Sequence, residues 1–189
     1  MFTKTARFFI HCTLLAVLSA PGQAAEPLVI DFHGQDFIHR WSQAGQHEFT
    51  PEGQQDLAAW QEMITLNVRD EVTNEEALAS LANGVLNVYQ KHGQVIRTAS
   101  VPRSDSQSAE HLAIAVMGSP EFIEAAFARF VFREGRGVII VYSHRTYGDG
   151  ANEAMVTWLQ TNMTSSESRL MSWSALPDKA SLDALPESK

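Results

Sequence analysis

The fold is decided by residues 125–145, AAFARFVF-REGRG-VIIVYSHR, in which two apolar runs flank a short segment with two glycines. The glycines of residues 133–137 suit a tight reversal, so the pattern predicts a β-hairpin of residues 125–132 and 138–145. A helix over residues 122–130 is the alternative, because the side chains of Phe122, Ala126, Phe127 and Phe130 also fit one helical face. We take the hairpin as the start of a sheet.

A second hairpin is predicted immediately before the first. Residues 95–101 form an apolar run that Pro102 ends, and residues 111–117 alternate between two faces. The polar residues 103–108 between them predict a loose connecting loop. The two hairpins together give four antiparallel strands.

The first part of the chain contributes less regular structure. Residues 63–68 predict a strand with Ile64, Leu66 and Val68 on one face. Residues 28–32 predict a first strand or an extended arm. The polar, glycine-punctuated stretch that follows is expected to hold only one helical turn, at residues 55–60.

The clearest helix is predicted over residues 74–91. Thr73 and Glu76 have the spacing of a capping box, and Gly93 suits the left-handed conformation that ends helices. One apolar stripe runs along it, formed by Leu78, Leu81, Ala82, Val85, Val88 and Tyr89. Such a stripe requires an apolar surface to cover, most simply a sheet.

Two more helices are predicted near the end of the chain. Met155, Trp158 and Leu159 indicate an amphipathic helix over residues 152–162. A shorter helix follows it, capped by Ser165 or Ser166. The final residues, 177–189, form a polar tail whose leucines allow docking and whose end is expected to fray.

This element order predicts an α+β fold with a single antiparallel sheet of about five strands and two or three helices packed on it. No repeat or long linker divides the chain. We therefore predict one domain over residues 25–176, preceded by a leader, residues 1–24, and followed by the tail.

The leader has the composition of a secretory signal peptide. Lys4 and Arg7 precede an apolar segment, residues 8–20, and small residues follow at Gly22 and Ala24. An uncleaved anchor is the alternative, but the segment is shorter than the roughly 20 residues that span a bilayer. Cleavage predicts a periplasmic or secreted protein. It also removes Cys12, the only cysteine, which excludes disulfides and a cysteine nucleophile from the mature chain.

The charge balance narrows the range of partners. Fourteen basic residues stand against 22 acidic residues, a net charge of -8, and no basic run is present. Nucleic acid is therefore an unsuitable partner, and no membrane contact is expected after leader removal.

The order of elements resembles that of the small exported PsbP and DcrB-like proteins. The resemblance is carried by Phe49-Thr50-Pro51 ahead of the strand at residues 63–68, the helix at 74–91, the meander at 95–145 and the closing helix at 152–162. One departure is the tryptophan that usually follows the proline closely, which appears here only at Trp60. The resemblance implies a non-enzymatic accessory or binding module.

The residues best placed to bind a ligand follow the last predicted strand. Arg145 can hold a carboxylate or phosphate through two hydrogen bonds, and His144 or Tyr147 can donate another. Arg97 and Arg103 are expected to add positive potential at the same end of the sheet. The alternative is structural: His144 or Arg145 caps the sheet edge, and Tyr147 packs under the loop.

A metal site was considered in the polar stretch near the first strand. It would combine His33, His39 and His47 with carboxylates, namely Asp31, Asp36 and Glu48. The histidine spacings match no metal motif, so we predict no metal and no cofactor. In the same stretch Phe37 and Trp41 either form a docking surface or anchor the segment on the sheet, and we favour the anchor.

The sequence thus predicts an exported, non-enzymatic binding or accessory protein whose partner is an unknown protein or a small anionic ligand. No Gly-x-Ser-x-Gly motif or phosphate-binding glycine loop is present. Two alternatives remain open: a hydrolase that uses His144 or a metal, and an inhibitor of an exported enzyme or toxin.

Overall fold

The computed structural model describes residues 27–105 and 107–188, and the predicted leader lies outside them. Its main feature is one antiparallel sheet of eight strands in the order β1-β2-β3-β4-β8-β7-β6-β5. The strands are β1 Val29–Asp31, β2 Asp36–Gln43, β3 Gln46–Pro51, β4 Glu62–Arg69, β5 Gly93–Val101, β6 Glu110–Gly118, β7 Phe122–Arg133 and β8 Arg136–Tyr147. The helices are α1 Glu75–His92, α2 Ala151–Ser172 and α3 Lys179–Asp183. The predicted α+β class is confirmed.

The β7–β8 hairpin forms the centre of the sheet, as the sequence predicts. Its two-residue turn places Glu134 at φ 53° and Gly135 at φ 78°, the left-handed pair that suits the twist of a tight hairpin. Pairing extends without interruption from Arg133 and Arg136 to Phe122 and Tyr147. The helical alternative for residues 122–130 is therefore wrong.

The prediction of about five strands is wrong because the polar stretch after β1 is itself a hairpin. Strands β2 and β3 reverse at Ala44 and Gly45, with φ of 50° and 77°. Polar side chains occupy most positions of both strands, for example His39, Ser42, Gln46 and Glu48, so the stretch has few hydrophobic residues despite its regular pairing. The helical turn predicted at residues 55–60 is also wrong. Turns occupy that segment, and the Gln54 side chain accepts hydrogen bonds from the backbone of Gln61 and Glu62.

Helix α1 is confirmed, but both of its predicted ends differ in detail. Asn74, rather than Thr73, caps the helix, and its side chain accepts a hydrogen bond of 2.9 Å from Ala77 N. Gly93 is extended rather than left-handed, with φ -164°. A Cβ atom at Gly93 would lie 2.3 Å from Val116 O, so glycine allows β5 to start close against β6.

A single helix, α2, replaces the two predicted after residue 151. Ser166 is buried inside it, and Ser165 bonds back to Asn162 O, so neither serine starts a new helix. The helix ends where Arg129 of β7 donates to the carbonyl groups of Leu170 and Trp173. These bonds satisfy carbonyl groups that a helix end leaves free.

The two faces of the sheet are covered differently. Helix α2 packs on β7 and β8 over the first face, and part of the polar tail joins the same core. The largest fully buried side chains in this core are Phe32, Phe37, Phe49, Ile64, Leu66, Ile114, Phe127, Ile140 and Leu170. Helix α1 packs over the second face mainly on β5, β6 and β7, and the core beneath it also includes Ile139 of β8. In the described part of the chain, no helix packs across the second face of β2, β3 and β4.

The polar tail contacts the domain through α3 and the residues after it. Leu182 of α3 is buried in the first-face core. Ser188 N donates to Ser42 O over 2.7 Å, and Ser42 N donates to Ser188 Oγ. Among the described residues, no helix has the length and apolar composition needed to cross a membrane.

Candidate functional site

Three of the five predicted ligand residues lie together where β8 ends. His144, Arg145 and Tyr147 occupy alternating positions, so His144 faces the first side of the sheet and the other two face the second. In the register, β4 places Glu62 opposite His144, and β7 places Glu124 opposite Arg145. The strand end thus carries two separate clusters, one on each face.

The Arg145 guanidinium is held between two aromatic rings. Its central carbon lies 3.9 Å from the Trp60 ring centre and 3.8 Å from that of Phe122. Its Nε atom donates to Glu124 Oε2 over 2.7 Å. Within the described residues, its terminal Nη atoms make no further hydrogen bond. The side chain is rigid and paired, yet it retains donors for a partner at the rim of the sheet.

Tyr147 is hydrogen-bonded to the loop that precedes β4. Its hydroxyl donates to the backbone carbonyl of Trp60, and its ring meets the edge of Phe122 at a centroid distance of 6.2 Å. Arg145 N adds a backbone bond to Gln61 O. These contacts match the structural alternative, in which Tyr147 packs under a loop. Ligand binding by Tyr147 stays a prediction.

His144 packs flat against α2. Its ring is parallel to the Trp158 ring within 4°, at a centroid distance of 4.1 Å. Its Nδ1 atom is buried and has no hydrogen-bond partner in the described part of the chain. Burial lowers the pKa of His144, with a smaller opposing effect from the Glu62 carboxylate. The neutral ring therefore carries its proton on Nε2, because a proton on Nδ1 would be buried without an acceptor.

The carboxylate nearest to this histidine is already engaged by other groups. Glu62 Oε1 accepts from the Tyr142 hydroxyl over 2.7 Å, and Oε2 accepts from Gln35 Nε2 over 3.1 Å. Burial, and then the Glu62 charge, raises the pKa of Tyr142 well above its usual range. Tyr142 therefore stays a hydrogen-bond donor. Glu62 is oriented by these two donors and not by His144.

The two remaining ligand residues do not join the strand end. Arg97 of β5 pairs with Glu167 of α2 over 2.9 Å, at the far edge of the sheet. Arg103 lies 3.6 Å from Glu75 and its side chain is 74% exposed. It follows Val101, which pairs with Glu110, at the end of the sheet opposite Tyr147. The expected common site of all five residues is not formed.

The three histidines of the hypothetical metal site do not converge, because His33 lies apart from His39 and His47. His33 Nε2 hydrogen-bonds to Arg169 O over 2.7 Å, whereas His39 and His47 share Ser42 Oγ at 2.6 and 2.8 Å. Burial lowers the pKa of both His39 and His47, and at His47 the neighbouring His39 and Arg136 act in the same direction. In residues 27–105 and 107–188, no three metal-binding side chains converge.

Within residues 27–105 and 107–188, no helix covers the second face over β2, β3 and β4, where the sequence offered a docking surface as the alternative to an anchor. We call it the open face; it consists of Ile38, Trp41, Gln46, Glu48, Thr65 and Asn67. Each of these side chains is partly exposed. Phe37 points to the opposite side and is fully buried, so it anchors the segment as expected, while Trp41 does not share its core. In the sequence, the alternation of Gln46, Glu48 and Thr50 with His47 and Phe49 was the signal that could have predicted strand β3.

Comparison with solved structures finds similar folds. The yeast Ran-binding protein Mog1p from Saccharomyces cerevisiae is similar at a TM-score of 0.48 and 10% identity, over 77% of this chain and 91% of that chain. The cyanobacterial PsbP protein CyanoP from Synechocystis sp. PCC 6803 is similar at a TM-score of 0.37 and 14% identity, over 85% of this chain and 99% of that chain. Likeness at this level concerns fold and assigns no activity.

Comparisons of the sequence with curated proteins and with protein-family models give two further results. No curated protein matches the chain. A protein-family model, by contrast, matches residues 18–173, which is more than half of the chain, and the chain belongs to that family.

Proposed function

We propose that this chain is an exported, non-enzymatic binding or accessory protein whose open face binds a partner protein. The observation that carries the proposal is the half-covered second face, where Trp41 and Ile38 lie on a sheet surface whose other side chains are polar. Tryptophan supplies a large contact area at low entropic cost and is enriched among residues that dominate binding energy. The neighbouring hydroxyl and amide groups supply hydrogen bonds around it.

The shape and charge of the open face favour a protein over a small anion. Its side chains lie on three adjacent strands, and Arg40, which donates to Thr50 Oγ1 beside it, is balanced by Glu48. A small anion would require converging positive groups, whereas a protein interface commonly combines an aromatic centre with a mixed polar rim. At the end of β8 on the same side of the sheet, the terminal Nη atoms of Arg145 offer further donors.

The alternative functions differ in how they relate to the same groups. A hydrolase that uses His144 needs a group to orient the ring, and Glu62 is instead bonded to Tyr142 and Gln35. An inhibitor of an exported enzyme is a special case of partner binding through the open face. Identification of the partner distinguishes an inhibitor from an accessory subunit.

Export is supported by the sequence of the leader, with Lys4 and Arg7 ahead of the apolar segment and Ala24 after it. Intact-mass measurement of the protein from fractionated cells tests it. We expect a periplasmic or secreted product that lacks about two dozen residues, as signal peptides of this kind predict. A cytosolic product that retains Met1 would contradict export.

The binding proposal is tested by a matched pair of substitutions. Thr65→Arg places a long charged side chain on the open face, beside Glu48, and Val156→Arg places the same side chain on α2, where Val156 is 54% exposed. The tagged wild-type chain and both variants are used to capture partners from the envelope fraction. We expect one stoichiometric protein with the wild type and Val156→Arg, and its loss with Thr65→Arg. Equal capture by both variants would contradict a role for the open face.

A further inference from the structure

The strand at one edge of the sheet, β5, has an unpaired side. Within the described residues, β5 pairs with β6 alone, whereas the opposite edge strand, β1, is only three residues long. A strand edge presents N–H and C=O groups that pair readily with another extended chain. Natural edges are commonly protected by bulges and prolines. Strand β5 has a bulge near Ile96 and is followed by Pro102. Between these two features, Arg97 to Val101 pair regularly with β6, and the outer side of this segment is the unpaired edge.

A groove lies beside this edge, between α1 and the strands β5 and β6. Its volume is about 180 Å³. Its walls carry small or polar side chains such as Ala82, Thr98 and Ser100, together with the larger apolar side chains of Leu86, Leu112 and Phe130. Ser100 Oγ and His111 Nδ1 are 3.0 Å apart, so His111 retains Nε2 for another polar group. The small side chains leave room for side chains of an added strand, every second one of which would point toward α1.

Strand β5 and the residues next to it in sequence are basic, although the whole chain is acidic. The net charge is -8, yet residues 91–103 contain Lys91, Arg97 and Arg103 and no carboxylate. Glu167 and Glu75 pair with the two arginines, whose side chains remain 52% and 74% exposed. Exposed pairs of this kind are weak, so both arginines can also pair with an incoming acidic group. Edge pairing between two copies of β5 would bring these basic strands together, which disfavours a second copy.

From the edge, the groove and the charge together, we propose that β5 binds an extended acidic peptide segment of a partner protein, which adds to the sheet as a further strand. Backbone hydrogen bonds along residues 97–101 hold the peptide. Alternate side chains enter the groove beside Ala82, and the glutamate or aspartate side chains between them, on the other side of the added strand, pair with Arg97. Strand addition of this kind gives affinity through the backbone and specificity through the side-chain pockets. The site is separate from the open face and goes beyond the function proposed above.

The test uses the purified chain and a synthetic fluorescent peptide of alternating glutamate and threonine. Matched peptides carry glutamine or lysine in place of glutamate. We expect the glutamate peptide to bind about tenfold tighter than the glutamine peptide, with the lysine peptide weakest. Amide resonances are expected to shift most at residues 97–101. Equal affinity for all three peptides, no binding of the glutamate peptide, or shifts centred on the open face would overturn the proposal.

Two leucine substitutions on α1 locate the peptide. Ala82→Leu fills the groove, whereas Ser80→Leu adds the same side chain at an exposed position of the same helix. We expect Ala82→Leu to weaken peptide binding about tenfold and Ser80→Leu to leave it unchanged. Equal effects of the two variants would contradict the groove.

Two further controls separate this proposal from its rivals. A wild-type dimer whose protected amides are those of residues 97–101 would overturn the peptide in favour of a second copy. Thr65→Arg is expected to bind the peptide normally, because it alters only the open face. Failure of the open face therefore leaves this site standing, and loss of peptide binding in Thr65→Arg would contradict their separation.

Discussion

The two faces of the same sheet have different covers and different chemistry. The first face is closed by α2 and the tail, and its core contains side chains such as Phe127 and Leu170 that are fully buried. The second face is closed by α1 mainly over β5, β6 and β7, and the open face beside it is polar apart from Ile38 and Trp41. The difference indicates that the closed parts of the sheet supply the core, while the open face contributes little to it and is the surface proposed above for binding.

The largest effect on stability is expected from the closed face. Phe127 is fully buried and its ring contacts those of Tyr142 and Trp158. Phe127→Ala is expected to lower the free energy of unfolding by about 3–5 kcal/mol, because it removes apolar contacts and leaves a cavity. Urea denaturation measures this difference. Trp41→Ala is expected to lower the free energy of unfolding by less than about 1 kcal/mol. A loss that small for Phe127→Ala would contradict the difference between the two faces.

The ion pairs Arg129–Glu110 and Arg145–Glu124, on opposite faces of the sheet, provide a second comparison. Arg129 donates to both oxygens of Glu110 and to two carbonyls at the end of α2, so its donors are used within the fold. Arg129→Met leaves Glu110 buried and unpaired, and we expect a loss of about 3–5 kcal/mol. Arg145→Met is expected to cost less, because the Arg145–Glu124 pair is more exposed.

The double variant Arg129→Met with Glu110→Leu serves as the control, since it removes both buried charges. It is expected to recover part of the stability that Arg129→Met loses. Thermal unfolding of the four proteins measures the difference. A double variant less stable than Arg129→Met alone would contradict this explanation.

The closed face is also expected to respond to pH through His144. Its pKa is lowered from 6.5 by burial against Trp158, so the unfolded chain binds a proton more readily than the folded one. The stability from this group is full above pH 6.5 and is lost as the pH falls through the lower folded pKa. His144→Phe keeps an aromatic ring but cannot titrate.

We therefore expect the free energy of unfolding of the wild type to decrease from neutral pH to about pH 5, and that of His144→Phe to decrease less. His39 and His47, whose pKa values are also lowered by burial, keep part of the slope in the variant. Urea denaturation across this pH range measures both slopes. Identical slopes would show that His144 is not desolvated in the folded protein.

The smallest effect on stability is expected on the open face. Thr65→Arg adds a side chain that can extend into solvent, so we expect a change within about 0.5 kcal/mol. Denaturation beside Val156→Arg measures it. A loss as large as that of Phe127→Ala would show that the open face is part of the core.

The comparison also explains how much of the fold was predictable. The β7–β8 hairpin, β4 and α1 have strong apolar periodicity, and the sequence alone located them. Strands β2 and β3 were missed because their open-face side chains, such as Gln46 and Glu48, are polar and conceal the alternation with Phe49. The continuity of α2 was missed because Ser165 and Ser166 resemble caps in sequence but lie mid-helix.

The candidate site was predictable only in part. The residues at the end of β8 were located together, since neighbours in sequence stay neighbours in space. The expected addition of Arg97 and Arg103 depended on how the hairpins align, and Arg103 proved to be at the opposite end of the sheet. Trp60, which contacts Arg145, lies in a loop far away in sequence, and Trp158, which contacts His144, lies in the helix that follows β8, so the contacts depended on how these segments pack.

Site-specific photo-crosslinking in cells tests the central claim most directly, with the crosslinker placed at Thr65 on the open face or at Gln160, an exposed position on α2. The account predicts one crosslinked protein from Thr65 and none from Gln160. The same products from both positions, or products from Gln160 alone, would contradict it.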